Sequence, residues 1–565
     1  MLRRLATVWP FPIRVDADLR RSLGVLNVSH PPEFVLGAGY VTATVLSLAV
    51  WIALVSALGA STGSALAVAF GIGSVRAVEA APGTLAAFRR TRALSDALEL
   101  VGMLALRMRL MPVPERAARF AARSGEGILA RSLRDHVERS VGTPRTGLNG
   151  FTDEWSPWFP ALDRATAGLL AAAEANPERR DRILDRTVRA VDTALSERVA
   201  SFAGELRGPV TGLYAFGVLL PLALVGALPA ATAAGVPVTP AAFVLVYDLL
   251  LPFSLAVGSV RLLAARPVAF QPPAVEVDRG SIVDGRVLAA VAGGGAAGVA
   301  WFASGIVLDA WASSVAAVGV GVGTSLVVLT RPVVRERRRV RELERGLPDA
   351  LSAVGRAVAD GEAVETAIAR AGARTPGRAG GAFREAARRQ RLLGVGVRDS
   401  FLGRSGPFAD EGGTRTRAAV SLLAVAAREG KPAGEALCSH ADRLDELLER
   451  ERDGRRSLAA VTRTLVQTGA LFGPLVGGAT VALARRLATA GGGLGPDATA
   501  PPLPPELVGS AVGCYVLLLA TLLTGLATGL ERGIDAALIA YRVGIALVTA
   551  VGSFLVGVLG AGLLL

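Results

Sequence analysis

Nine stretches of this 565-residue chain each run for about 20 residues on mainly apolar side chains, and no other feature limits its folding so tightly. A helix needs about 20 such residues to cross the ~30 Å hydrocarbon core of a bilayer. The stretches are 34–58, 61–81, 209–228, 241–263, 287–308, 311–329, 465–484, 507–530 and 534–559. The first two lie almost end to end and read as a hairpin, with Arg76 and Glu79 near the end of the second. More than 30 residues precede the first stretch, among them Pro10, Pro12, Pro31 and Pro32, and the stretch is longer than the apolar region of a signal peptide. It is therefore read as an uncleaved span. AVILMFWYC make up 51% of the chain, and 66 glycines add to that share. Soluble domains hold ~45–50% for the two together, so an ordinary soluble protein is excluded.

The charges lie between the apolar runs. Of 61 Lys and Arg, 47 fall in 83–207 and 331–463, and Lys431 is the only lysine. Arginine used so exclusively reads as an imprint of genomic base composition. Basic stretches beside spans stay inside and meet anionic headgroups. Arg3, Arg4, Arg14, Arg20 and Arg21 thus place the N-terminus in the cytoplasm. Counting spans then puts 82–208, 264–286 and 331–464 inside. It puts 59–60, 229–240, 309–310, 485–506 and the C-terminus outside. Loop 229–240 carries no charge, in agreement, whereas Arg485 and Arg486 run against the assignment unless they snorkel. The net charge of +13 does not read as a nucleic-acid surface, because the basic residues are not interleaved with aromatics.

Chemistry-bearing motifs are missing. Cys438 and Cys514 fall in unlike settings, and His30, His136 and His440 are isolated, so neither a disulfide framework nor a metal site is expected. Gly430-Lys431 is followed by Pro432 and is not part of a phosphate-binding loop; Gly-x-Ser-x-Gly and His-Glu-x-x-His do not occur. No catalytic residue and no cofactor are expected. Three ionisable groups fall inside apolar runs. Asp248 lies near the middle of the fourth, four residues before Pro252, and Asp535 and Arg542 share one face of the ninth. Such groups read either as an ion pathway or as buried partners that fix packing. Gly469, Gly473 and Gly477, and likewise Gly525, Gly529 and Gly533, are spaced for close helix packing.

An internal repeat organises the chain. LSDALELVG (94–102) matches LPDALSAVG (347–355), and FGVLLPLALVG (216–226) aligns with LFGPLVGGATV (471–481), which sets Pro221 against Pro474. Both pairs are offset by 253 residues. Each half reads as two spans, a charged domain and two further spans, with the ninth span as the extra element. The charged domains read as helical, with no β-alternating runs. Leu347, Leu351, Val354 and Val358 form one stripe, which Asp360-Gly361 should end. A helix over 363–372 follows, then another over 414–430, with Gly430 as its C-cap and Pro432 in the first turn of the next. The expected fold is thus an all-α polytopic membrane protein of about nine transmembrane helices, with two cytoplasmic helical-bundle domains in tandem repeat. Its parts are a segment 1–33, a hairpin in 34–81, a first domain 82–208, spans in 209–263, a linker 264–286, spans in 287–330, a second domain 331–464 and spans in 465–565.

LPDALSAVGRAVADGEAVETAI (347–368), LAVAAREGKPAGEAL (423–437) and the central Pro474 of LFGPLVGG resemble the type II secretion system F family. That family comprises the platform proteins of type II secretion, type IV pili and archaeal flagella. The two apolar runs before each domain are most similar to the archaeal members. In the first half, SPWFPALDRATAGLLAAAEANPERRDRI departs from the pattern and lacks the glycine turn. The resemblance implies a non-enzymatic, multi-pass protein of the cell membrane, beneath a growing filament. Its cytoplasmic domains would dock a hexameric secretion ATPase, its spans would receive pilin or pseudopilin subunits, and it would be compatible with a homodimer. Arg335, Arg337, Arg338, Arg339, Arg341 and Arg345, where the sixth span ends, are candidates to dock that ATPase or to anchor on anionic lipid. Two other readings remain: a secondary transporter of duplicated halves with Asp248, Asp535 and Arg542 in its pathway, and a membrane scaffold or sensor unrelated to filaments.

Overall fold

A computed structural model of the chain describes residues 19, 20, 23 and 31–564, apart from 59, 95, 126, 143–145, 234–237, 267–278, 410–413, 430 and 491–502. Most of the N-terminal segment, the Gly430 cap and much of the linker fall outside the described residues. All regular structure among the described residues is helical. Eight of these helices are long and apolar enough to cross a membrane: Pro32–Ile52, Gly208–Leu228, Pro240–Ala264, Gly285–Gly305, Ala310–Ala359, Gly434–Arg486, Pro505–Arg532 and Ala536–Gly562. They cover eight of the nine apolar runs. The remaining run, 61–81, lies within the helix Ala60–Leu94 and is not among the eight, and several of its side chains lie outside the described residues.

Spans and domains are less separate than the charge pattern suggests. Ala310–Ala359 is one helix of 50 residues, passing through the arginine-rich stretch with Pro332 and Pro348 inside it. At 1.5 Å per residue it is about 75 Å long. Leu347, Leu351, Val354 and Val358 are all buried on its final turns, and the helix stops at Asp360, with Gly361 at φ 95°. Val364–Arg374, Gly377–Leu393, Val397–Leu402, Thr414–Glu429 and the long Lys431–Gln467 complete this second lobe. Its core is built on the touching rings of Phe383, Phe401 and Phe408.

The first lobe follows the same helix order. Ala97–Leu110, Pro114–Ser124, Ile128–Arg139, Gly147–Trp155, Pro160–Glu174 and Pro177–Glu205 enclose Leu100, Leu104, Met108, Leu133, Phe151 and Leu162. The segment that departs from the repeat in sequence still makes a helix–turn–helix. Asn176 accepts from Arg179 N at 3.1 Å and Pro177 opens the next helix, so an Asn-Pro N-cap starts the second helix of the pair.

The lobes touch along their long helices. Arg450 pairs with Asp192, Arg443 donates to Gly102 O at 3.3 Å, and Leu447 packs on the first lobe's core. Within the apolar bundle, Gly469, Gly473 and Gly477 face Leu523, Leu519 and Val516, as their spacing predicts. The second glycine series is not a packing stripe. Gly529 meets Leu263, but Gly525 only brushes Ile539 at 3.9 Å, and Gly533 forms the turn between the last two helices at φ 87°. Backbones also come close elsewhere, at Gly557 against Leu475 and at Gly478 against Phe554, and a Cβ on Gly323 or Gly544 would stand 2.7 or 2.6 Å from the other's carbonyl oxygen.

Candidate functional site

Two polar constellations stand out, one inside the apolar bundle and one where the bundle meets the lobes. Proline creates the first. Pro221 and Pro474 have no N–H, so the carbonyls four residues back, Gly217 and Ala470, lose their helical donors. A hydroxyl from another helix replaces each: Tyr515 donates to Gly217 O at 2.5 Å and Ser553 to Ala470 O at 3.4 Å. In both halves the helix widens to a π turn ahead of the proline, at Ala215–Leu219 and at Thr468–Phe472. These segments keep the 253-residue offset read from the sequence. Tyr247 donates to Pro221 O at 2.6 Å and meets the Tyr515 ring edge-on at 5.1 Å. Its neighbour Asp248 sits in a third π segment, Leu245–Leu250, with Cys514 beside its carboxylate. Asp248 Oδ1 has no hydrogen-bond partner among the described residues.

The second constellation gathers the ends of several spans. Asp535 is nearly fully buried and precedes the last helix, where its Oδ1 accepts from Leu538 N at 3.1 Å and pairs with Arg337. Arg542 reaches back to Glu531 at 2.8 Å, and Arg532 shares the same carboxylate at 3.2 Å. Asp535 and Arg542 therefore do not form an intramembrane pair. Each belongs to a charged junction at the turn between the last two spans. Arg266, 5% exposed at the end of the fourth span, donates to Gly529 O at 2.9 Å, and Arg455 pairs with Glu451 at 3.1 Å.

The six arginines beyond the sixth span divide by face. Arg335, Arg338 and Arg345 are exposed, Arg338 paired with Glu342, while Arg339 bonds Glu336. Arg337 turns inward to Asp535, and Arg341 stands within electrostatic reach of Arg532, Arg455, Asp535 and Arg337. Burial holds the Arg341 guanidinium below its ordinary range, and Arg532 and Arg455 push the same way. At the opposite end of the bundle Arg485 pairs with Asp309 at 2.7 Å and Arg486 donates to Gly562 O at 2.6 Å. Local partners thus account for the two cations that ran against the charge pattern.

Sequence reasoning missed Tyr247, Tyr515, Arg266, Arg455 and Glu531. The tyrosines left a partial signal, because all five of the chain's tyrosines fall inside apolar runs, although nothing local marks these two among them. Buried in lipid-like surroundings, a phenol needs a partner. No family model matches the chain, and comparison with curated proteins and with solved structures returns no significant match.

Proposed function

We propose that this chain is the membrane platform of a type IV pilus-like or type II secretion-like filament-assembly machine. In this reading its lobes dock a cytosolic hexameric ATPase, and its bundle hands pilin or pseudopilin subunits to the filament. One observation carries the reading: twin lobes stand side by side, tied through Asp192–Arg450, and the second runs into the apolar bundle through unbroken helix. A helix about 75 Å long passes a displacement of the lobe to the spans without a slack linker, as a machine driven by a partner's ATP hydrolysis requires. The exposed Arg335, Arg338 and Arg345 are the residues for that partner to meet; Arg337 and Arg341 are engaged inside. Reversing the exposed three to Glu should weaken ATPase co-purification from detergent at least tenfold, in a salt-dependent way. Unchanged recovery of the ATPase would remove the docking role.

Asp248 favours a second reading, ion-coupled transport, because a carboxylate oxygen without a partner inside a membrane is costly unless it is used. The two readings separate by substitution. On a platform, Asp248→Asn and Asp248→Leu should both leave protein abundance and filament number near wild type, since little pairing is lost. Normal abundance of Asp248→Asn with no filaments, or loss of an ion flux, would favour transport.

A further inference from the structure

The charged junction holds more cations than its own carboxylates neutralise. Among the described residues six guanidinium groups gather there, from Arg266, Arg337, Arg341, Arg455, Arg532 and Arg542. They face three carboxylates, Asp535, Glu531 and Glu451, and Glu531 already serves both Arg532 and Arg542. Arg341 has no hydrogen bond or ion pair among the described residues, and two of its nearest charges are the cations Arg532 and Arg455. Arg455 in turn lies close to Arg532 and Arg345. Like charges held together and partly withdrawn from water repel unless an anion joins them. Guanidinium forks suit a phosphate group, which they can bind through paired N–H donors.

Depth identifies the source of that phosphate. The helices Pro505–Arg532 and Ala536–Leu564 have 28 and 29 residues, so each is about 42–44 Å long. A bilayer measures ~30 Å across its hydrocarbon and ~40–45 Å with its headgroups. The turn that carries Glu531, Arg532 and Asp535 therefore lies at the headgroup layer, with Arg337 against it. The convergence on this turn also covers its flank, since Arg266 closes against Gly529 O.

We propose that Arg341, Arg455 and Arg532 form a binding site for the phosphate of an anionic phospholipid headgroup. The site needs only that the apolar helices cross a bilayer and does not depend on the filament-assembly reading. The lipid's charge supplies the missing anion and ties the 310–359 helix, the 431–467 helix and the final turn together at the membrane surface. The test is native mass spectrometry of the full chain released from mixed nanodiscs of phosphatidylglycerol and phosphatidylcholine. Wild-type protein should retain phosphatidylglycerol in preference to phosphatidylcholine. Arg341→Gln and Arg532→Gln should each cut that preference by about fivefold, near the effect of one basic residue at a membrane surface. Arg341→Lys should keep most of it, and Arg338→Gln, on the exposed face, should change little. Millimolar inorganic phosphate added to wild-type protein separates the two sources. Phosphate bound in an Arg341-dependent way, with no preference between the lipids, would make free phosphate the ligand and overturn the lipid site. Absence of any lipid preference in wild type, or an equal loss in Arg338→Gln, would overturn it too. The wild-type arms hold even if a glutamine variant fails to fold.

Discussion

Pro221 and Pro474 turn a general liability into a defined contact. A proline inside a span frees one carbonyl in hydrocarbon, where no water can take its place. Here a hydroxyl from a distant helix donates to each freed oxygen, Tyr515 to Gly217 and Ser553 to Ala470. Both bonds are buried and the Tyr515 bond is much the shorter, so its loss should matter more. Tyr515→Phe should destabilise the protein by about 1–2 kcal/mol, the cost of an unsatisfied buried carbonyl. Pro221→Ala returns the helical donor, and in that background Tyr515→Phe should cost close to nothing. A double-mutant cycle on thermal unfolding in detergent reads the coupling directly. Additive effects would show that the phenol and the proline act independently. The prolines and their offset are visible in the sequence, but their partners are not. Tyr515 lies 298 residues from Gly217, and no local period relates the two.

The long helix of the second lobe gives the clearest case at the scale of one element. His440, Arg443, Leu447 and Arg450 fall on one stripe of it, and Arg443, Leu447 and Arg450 touch the first lobe. Burial, aided by the Arg443 charge, holds His440 down to about 4, and its Nε2 is buried without a partner. Below its ordinary value near 6.5 the unfolded chain takes up a proton that the folded lobe refuses. The stability from His440 is therefore complete above pH 6.5 and is lost as the pH falls from 6.5 toward 4. Asp192 works in the opposite sense. Burial raises its carboxyl despite the Arg450 guanidinium, so the folded state binds that proton more tightly and gains as the pH falls. His440→Gln should flatten the decline between pH 6.5 and pH 5 in thermal unfolding of the full chain, leaving the Asp192 contribution in place. An unchanged profile would assign the pH response to other groups. Periodicity made much of the neighbouring Ala310–Ala359 helix legible, because Leu347, Val358 and the stop at Asp360 follow from spacing alone. The division of the arginine stretch into an exposed and an inward face did not, since it depends on where the last helix begins. The first lobe's Asn-Pro turn escaped notice because the repeat pattern marks that position with a glycine turn.

On the scale of the whole molecule, ion pairs mark two ends of the apolar bundle. Asp192–Arg450, Arg443 with Gly102, and Arg337–Asp535 lie at the end that carries the lobes. Asp309–Arg485 and Arg486 with Gly562 lie at the other. Each set joins residues far apart in the chain, so a span inserted the wrong way round would break contacts at both ends. Eight of the nine apolar runs read from the sequence reappear as helices long and apolar enough to cross a membrane, because crossing a bilayer demands length and apolarity. Which helices pair was not legible, since that rests on close approaches such as Gly323 to Gly544. The two native cysteines, Cys438 and Cys514, can be replaced so that single cysteines report sidedness. Placed at the exposed positions 149 and 398 they should react from one side of the membrane, and at 309 and at 485 from the other. The positive-inside rule adds that the first side is the cytoplasm, because the arginine-rich lobes resist translocation. Impermeant maleimide labelling of intact cells and of inverted vesicles makes the measurement. Labels at 149 and 398 appearing on opposite faces would separate the lobes, and with them would go the Asp192–Arg450 contact on which the platform reading stands.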